Sequence, residues 1–237
     1  HRLSGRWSVF NNTTPENIGG GLNTRELSTD FQDRMDSAQA QLVSTLGDSQ
    51  LNELRVAYGR RDNPRTPSEV AASSVGVQIA GVANFGGPGT ASEFVQEYWQ
   101  IVDNFSWLRG NHNFKIGFDV QFIEDFRASN IRGVYVFPTT AAYLAAKSGA
   151  NRFGYTRFTQ AVGDPTVGYT QRYYSLFVQD DWRVTPAFKL LYGVRYDLFQ
   201  APDGLADAPH PATRSFRVDR NNIGPRVGFA WSLDPAG

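Results

Sequence analysis

Apolar and polar positions alternate along most of this chain with a period of two. From Phe188 to Leu198, the residues Phe188, Leu190, Tyr192, Val194, Tyr196 and Leu198 fall on one side of an extended chain. Lys189, Gly193, Arg195 and Asp197 fall on the other, the arrangement of a β-strand with one greasy and one wet face. The stretch before it, Tyr173 to Arg183, alternates in the same way, and a turn at Thr185 and Pro186 joins the two. Phe114, Ile116, Phe118, Val120 and Phe122 repeat the pattern, opposed by Lys115, Gly117, Asp119, Gln121 and Asp125.

The alternation predicts strands over roughly 2–11, 34–46, 51–60, 94–108, 113–127, 172–184, 187–200 and 224–233, with a further one near 154–162. Most are longer than the roughly 5 or 6 residues of a soluble strand and reach the roughly 9 to 11 that a tilted strand needs to cross an outer membrane. Their connections alternate as well. Gly47-Asp-Ser-Gln50, Arg109-Gly-Asn-His112, Thr185-Pro186 and Asp234-Pro-Ala-Gly237 are short, whereas the segments between them are long and rich in Gly, Pro, Asn and Thr. Short turns on one side and long loops on the other are how transmembrane barrels are built.

The fold class expected is therefore all-β, an antiparallel up-and-down transmembrane barrel segment of eight or nine strands, incomplete as a barrel. Trp107, Phe114, Trp182, Phe188 and Trp231 flank the short turns and would form an interfacial aromatic girdle. Two residues fit badly, because Asp103 and Asp180 fall among apolar neighbours. A bulge or a register error near Asp103 would account for the first. In the long loops, Pro138–Lys147 reads as a short helix with a threonine cap ended near Gly149. Val75–Val82 reads as a strand lying over the barrel mouth or folding into it.

Composition narrows the function more than it shapes the fold. Lys plus Arg (23) equals Asp plus Glu (23), which removes the basic footprint of a nucleic-acid binder. The chain has no cysteine, so disulfides and thiolate metal sites are excluded. No apolar run is long enough for a transmembrane helix, which leaves a strand barrel open. His1 stands where an initiator methionine would, within a strand, so residues 1–237 are expected to be one unit cut from a longer protein.

Candidate chemistry is sparse. His1, His112 and His210 are scattered and read as surface residues without metal spacing. Asp180-Asp181 and Glu124-Asp125 are neighbours on strands, point to opposite faces and cannot share a substrate. Gly19-Gly-Gly21 and Gly86-Gly-Pro-Gly89 lack the lysine and helix of a phosphate loop and read as flexible loop. Pro202-Asp203-Gly204 with Asp207 reads as a turn rather than a calcium loop. No catalytic, cofactor or metal residue is assigned, and the protein is not expected to be an enzyme. The polar face supplies the one candidate set, Lys115, Asp119, Gln121, Asp125, Arg127, Gln179, Asp181, Arg183, Arg195 and Asp197, which would line a barrel lumen.

Phe177-Val-Gln-Asp-Asp-Trp-Arg-Val-Thr-Pro186, followed by Leu191-Tyr-Gly-Val-Arg-Tyr196, resembles the barrel of TonB-dependent receptors, in particular their Oar-like group. Asn12–Asn17, Leu51–Arg55 and Gly224–Phe229 are similar to further stretches of it. The resemblance implies a receptor in the cell outer membrane that captures a ligand with its loops and passes it through a plugged barrel of about 22 strands. Its partners would be outer-membrane lipid, and, through parts absent from this chain, a plug domain and the TonB complex. The ligand would be an iron chelate, an oligosaccharide or a peptide. The alternatives are a non-energised outer-membrane porin or adhesin and a soluble β-sandwich carbohydrate-binding module. Loop tyrosines Tyr135, Tyr143, Tyr155 and Tyr169 would stack on sugars in either setting.

Overall fold

A computed structural model describes residues 1–71 and 75–233. Among the described residues thirteen strands and one α-helix follow in chain order. They are β1 (Arg2–Asn17), β2 (Thr29–Leu46), β3 (Gln50–Asp62), β4 (Arg65–Pro67), β5 (Gly76–Ile79), β6 (Ala83–Gly86), β7 (Thr90–Arg109) and β8 (His112–Ile131). After them come β9 (Val134–Phe137), α1 (Thr140–Lys147), β10 (Arg157–Thr159), β11 (Thr166–Thr185), β12 (Phe188–Gln200) and β13 (Ile223–Trp231).

The long strands form one open antiparallel sheet in the order β1-β2-β3-β7-β8-β11-β12-β13, with β4 set between β2 and β7. Each expected strand is present, and most run further than the alternation alone suggested, to 20 residues in β7, β8 and β11. Gly47 and Gly110 take positive φ (69° and 59°) in the tight turns after β2 and β7, where a side chain would be strained. The turn expected at Asp234–Gly237 lies outside the described residues.

Register carries the one-sided pattern across every strand. Leu3, Leu42 and Leu54 align, as do Gly5, Ala40, Val56, Ile101 and Val120, and Phe118, Leu176 and Tyr196 continue the same face. Aromatic residues border this band at both ends. Tyr58 and Trp99 stack at 4.7 Å and Phe122 meets Tyr174 at 6.2 Å toward the long loops. Trp107 meets Phe114 and Phe188 meets Phe229, each at 6.1 Å, toward the short turns. Trp99 and Trp107, Phe114 and Phe122, and Tyr174 and Trp182 are each eight residues apart. At ~3.4 Å per residue and a tilt of ~40° that spans about 20 Å, close to the ~25 Å apolar band of an outer-membrane barrel.

No second layer covers this face. Among the described residues the buried apolar side chains are Ile79, Phe137 and Ala208, while Trp7, Trp99, Leu176, Val227 and Phe229 are each more than half exposed. That corrects the β-sandwich alternative, which requires two apolar faces buried against each other.

The two ill-fitting carboxylates are also explained without a bulge. β7 pairs with β8 without interruption from Thr90↔Ile131 to Arg109↔His112, so Asp103 stays on the apolar face. Asn52 donates to it at 2.8 Å from the neighbouring strand. Asp180 is buried at 4% exposure beneath His112, whose Nδ1 lies 2.6 Å from its Oδ2, and the Tyr192 hydroxyl donates to the same oxygen at 2.8 Å. His112 is therefore half-buried and engaged rather than a free surface residue. Its ring stacks between Phe114 and Trp182 at 5.3 and 5.2 Å. Asp180 sits toward the short turns and Asp103 midway between Trp99 and Trp107, and at both places polar partners from adjacent strands replace water.

The long loops build a second sheet, β10-β9-β5-β6, in which β5 and β9 run parallel. The segment expected over 75–82 becomes β5, and the one near 154–162 becomes the short β10, outside the large sheet. The expected helix is α1, with the Thr139 hydroxyl accepting from the Ala142 amide at 3.1 Å. Glycines 86–89 are not slack loop. Gly86 N–H donates to Glu26 at 2.9 Å, Gly87 N–H to the Val75 carbonyl at 2.9 Å, and the Gly89 carbonyl accepts from Arg132 at 2.9 Å.

Candidate functional site

The polar face of the large sheet and the loop sheet at its end are the two places where side chains converge. All ten candidate residues fall on the polar face of β8, β11 and β12, because residues two apart on a strand share a side and the register aligns Lys115 with Gln179, Asp119 with Ser175, and Asp181 with Asn113.

Three carboxylates organise that face. Asp125, 5% exposed, accepts from Gln96 at 2.9 Å and Gln171 at 3.4 Å. Asp119 accepts from Gln100 at 3.0 and 3.1 Å, and from Gln121 at 3.4 to 3.5 Å. Asp197 accepts from the Tyr173 hydroxyl at 2.6 Å and from Arg195 Nε at 2.9 Å, while Arg195 also donates to Tyr173 at 3.1 Å. Asp181 pairs with Lys189 at 2.5 Å. Arg127 lies over the rings of Phe94 and Tyr169 at 5.0 and 5.7 Å. Lys115, Gln179 and Arg183 share the face without a side-chain bond to the other candidates.

The sequence reading missed Gln96, Gln100, Gln171, Tyr173 and Lys189 as members of this ladder. Their signal is parity. Gln96 and Gln100 alternate with Val95, Trp99 and Ile101, and so belong to the wet side of β7.

Small residues let larger polar-face side chains lie flat. A Cβ on Gly59 would run into the Tyr98 ring, and one on Gly117 would approach Phe177 to 2.6 Å. The polar face is thus lined by rings laid across glycines, with amides and carboxylates between them.

Beyond the sheet, the loop strands are tied together by aromatic contacts. Tyr135 packs on Phe158 at 4.3 Å and on Tyr155 at 5.2 Å, and Tyr143 of α1 meets Phe85 at 5.2 Å and Phe137 at 5.4 Å. Of these rings, Tyr135, Phe137, Tyr143 and Tyr155 border a groove of about 420 Å³ whose rim carries Lys147, Arg152 and Phe153. Where this loop re-enters the sheet, Asp164 accepts from the hydroxyl and amide of Thr166 at 2.7 and 2.9 Å, and these bonds hold its carboxyl below the usual range. Among the described residues no three His, Asp or Glu side chains cluster as a metal site.

The model of the outer membrane beta barrel domain matches residues 1–236. The chain belongs to this family. An outer-membrane barrel domain is located in the outer membrane, so the apolar band faces lipid. No curated protein matches the chain. Among solved structures, the outer membrane transporter YddB from Escherichia coli is similar over 99% of this chain and 27% of its own, at 14% identity and a TM-score of 0.57. At that identity the likeness speaks for the fold. The outer membrane protease OmpT from Escherichia coli is similar over 86% of this chain and 65% of its own, at 11% identity and a TM-score of 0.31. This outer-membrane barrel domain spans about a quarter of the transporter it resembles.

Proposed function

We propose that this domain is part of the barrel of a TonB-dependent, energised outer-membrane transporter of the Oar-like kind, whose loops capture a ligand and whose polar face lines the lumen. The carrying observation is the ladder of Asp119, Asp125 and Asp197 with its glutamines, tyrosine and arginine on the face opposite the lipid band. A small closed barrel fills its interior with its own side chains, whereas a wide one leaves a polar wall for water, a plug or cargo. The likeness to a transporter chain several times longer supports the wide barrel. The plug and the TonB complex would be reached through the rest of the protein.

Among the described residues of this face Asp119, Asp125 and Asp197 are engaged by amides, a phenol and a guanidinium and Asp181 by Lys189, so the carboxylates serve as ties between strands. A non-energised porin or adhesin is the second reading, favoured by the same wet wall. Uptake by cells expressing the full-length gene distinguishes them. Collapse of the proton gradient, or loss of TonB, should abolish uptake through an energised transporter. Passage that persists without either would overturn the proposal in favour of a pore.

A further inference from the structure

The groove on the loop sheet has a specific chemistry. Its floor is aromatic, with Tyr135, Tyr143 and Tyr155 half-buried around it, and Phe153 stands at the rim with 80% of its surface open. The hydroxyls of the three tyrosines make no hydrogen bond with protein groups among the described residues. Among the described residues two cations border the groove and no carboxylate does. Lys147 lies 5.9 Å from the centroid of the Tyr143 ring, and Arg152 is exposed without an acidic partner.

We propose that this groove binds an acidic oligosaccharide, one bearing carboxylates on its sugar rings. The inference rests on the loop-capture reading above and names the substrate class for it. A pyranose presents a flat C–H face that packs on an aromatic ring, and its hydroxyls exchange hydrogen bonds with phenol groups. Its carboxylate takes the charge-assisted bonds that Lys147 and Arg152 leave unmade. The volume lies within the ~300 to 1,000 Å³ of small-ligand sites, enough for a short segment of a chain rather than for a macromolecular surface.

The floor is preorganised for this. β5 and β9 are hydrogen-bonded along their length, Ile79 and Phe137 pair and are buried with Phe137 against Tyr143 of α1, and the helix that carries Tyr143 and Lys147 is capped by Thr139. A rigid floor reduces the ordering cost of binding, so rings already in place hold a flexible sugar chain more tightly than mobile ones.

The experiment is calorimetric binding to the purified full-length gene product in detergent, using tetragalacturonate, tetramannuronate and a chondroitin tetrasaccharide, with maltotetraose and tetraglutamate as neutral and non-sugar controls. At least one acidic sugar should bind and both controls should not. Lys147→Gln with Arg152→Gln should weaken that binding about 10-fold or more and flatten its salt dependence, and Phe153→Ala should weaken it about 10-fold. Arg152→Lys should retain most of the charge contribution. Circular dichroism of each variant confirms that the strands are intact. Failure of all three sugars to bind, binding that ignores these substitutions, or equal binding of tetraglutamate would each overturn the groove assignment. Energised uptake of another ligand would leave the transport reading standing, whereas groove binding without energised uptake would sink transport and keep the groove.

Discussion

His112 Nδ1 sits 2.6 Å from Asp180 Oδ2, on the lipid-facing side of the sheet. The imidazole also shields the carboxylate, since it lies stacked between Phe114 and Trp182 directly above it. Removing the histidine alone leaves a buried acid at the edge of the hydrocarbon with Tyr192 as its remaining side-chain donor, at a cost of about 1 to 3 kcal/mol. His112→Ala should therefore lower the temperature at which the folded protein loses its fast gel migration. Asp180→Asn combined with His112→Phe should recover most of the loss, because both halves of the pair are then neutral. If the single histidine variant matches the parent, the pair is ornamental.

Adjacent residues on β8 give a direct test of which side meets lipid. Val120 lies in the apolar band opposite Ile101, and Gln121 lies on the polar face opposite Gln100. Val120→Arg should cost about 2 to 4 kcal/mol and reduce assembly into the outer membrane. Gln121→Arg should assemble normally. Equal assembly of the two would contradict the assignment of faces.

Gly59 lies under the ring of Tyr98 on the polar face. A valine there must push the ring off the sheet, and overpacking of this kind costs about 1 to 3 kcal/mol. Gly59→Val should lower stability measured by urea unfolding in micelles, and Tyr98→Ala in the same background should relieve the clash.

The loop helix depends on its cap. Thr139→Ala removes the acceptor for the Ala142 amide and should cost about 1 kcal/mol locally. Protease cleavage after Lys147 should become faster while heat-modifiable migration of the barrel stays unchanged.

Asp164 supplies a pH test outside the membrane. Its bonds to Thr166 depress the carboxyl pKa in the folded state, so what they contribute is present above the ordinary value of 3.8 and is lost as pH falls through the lowered one. The Thr166 amide resonance should titrate with a midpoint below 3.8. Asp164→Asn should remove that titration.

The alternation of apolar and polar residues made the long strands, the short turns and the two faces legible in advance, because a period of two is enforced at every position of a strand with lipid on one side. Asp180 and Asp103 looked anomalous because their relief comes from His112, Tyr192 and Asn52, partners defined only once neighbouring strands are in register. The loop sheet was legible only as isolated segments at 75–82 and 154–162, while β6, β9 and the assembly of all four strands were hidden for a different reason. Strands of three or four residues carry no readable period, and the pairing of Gly76–Ile79 with Val134–Phe137 joins segments far apart in the chain. The glutamines of the polar ladder were visible as wet-face residues, but without register nothing marked them as partners of Asp119 and Asp125.

The parallel pairing of β5 with β9 gives the two largest loops a common hinge. One loop is rooted in β3 and β7, the other in β8 and β11, so neither can swing outward by itself without breaking that ladder. A molecule seated on their shared floor would thus pull on four strands of the wall at once.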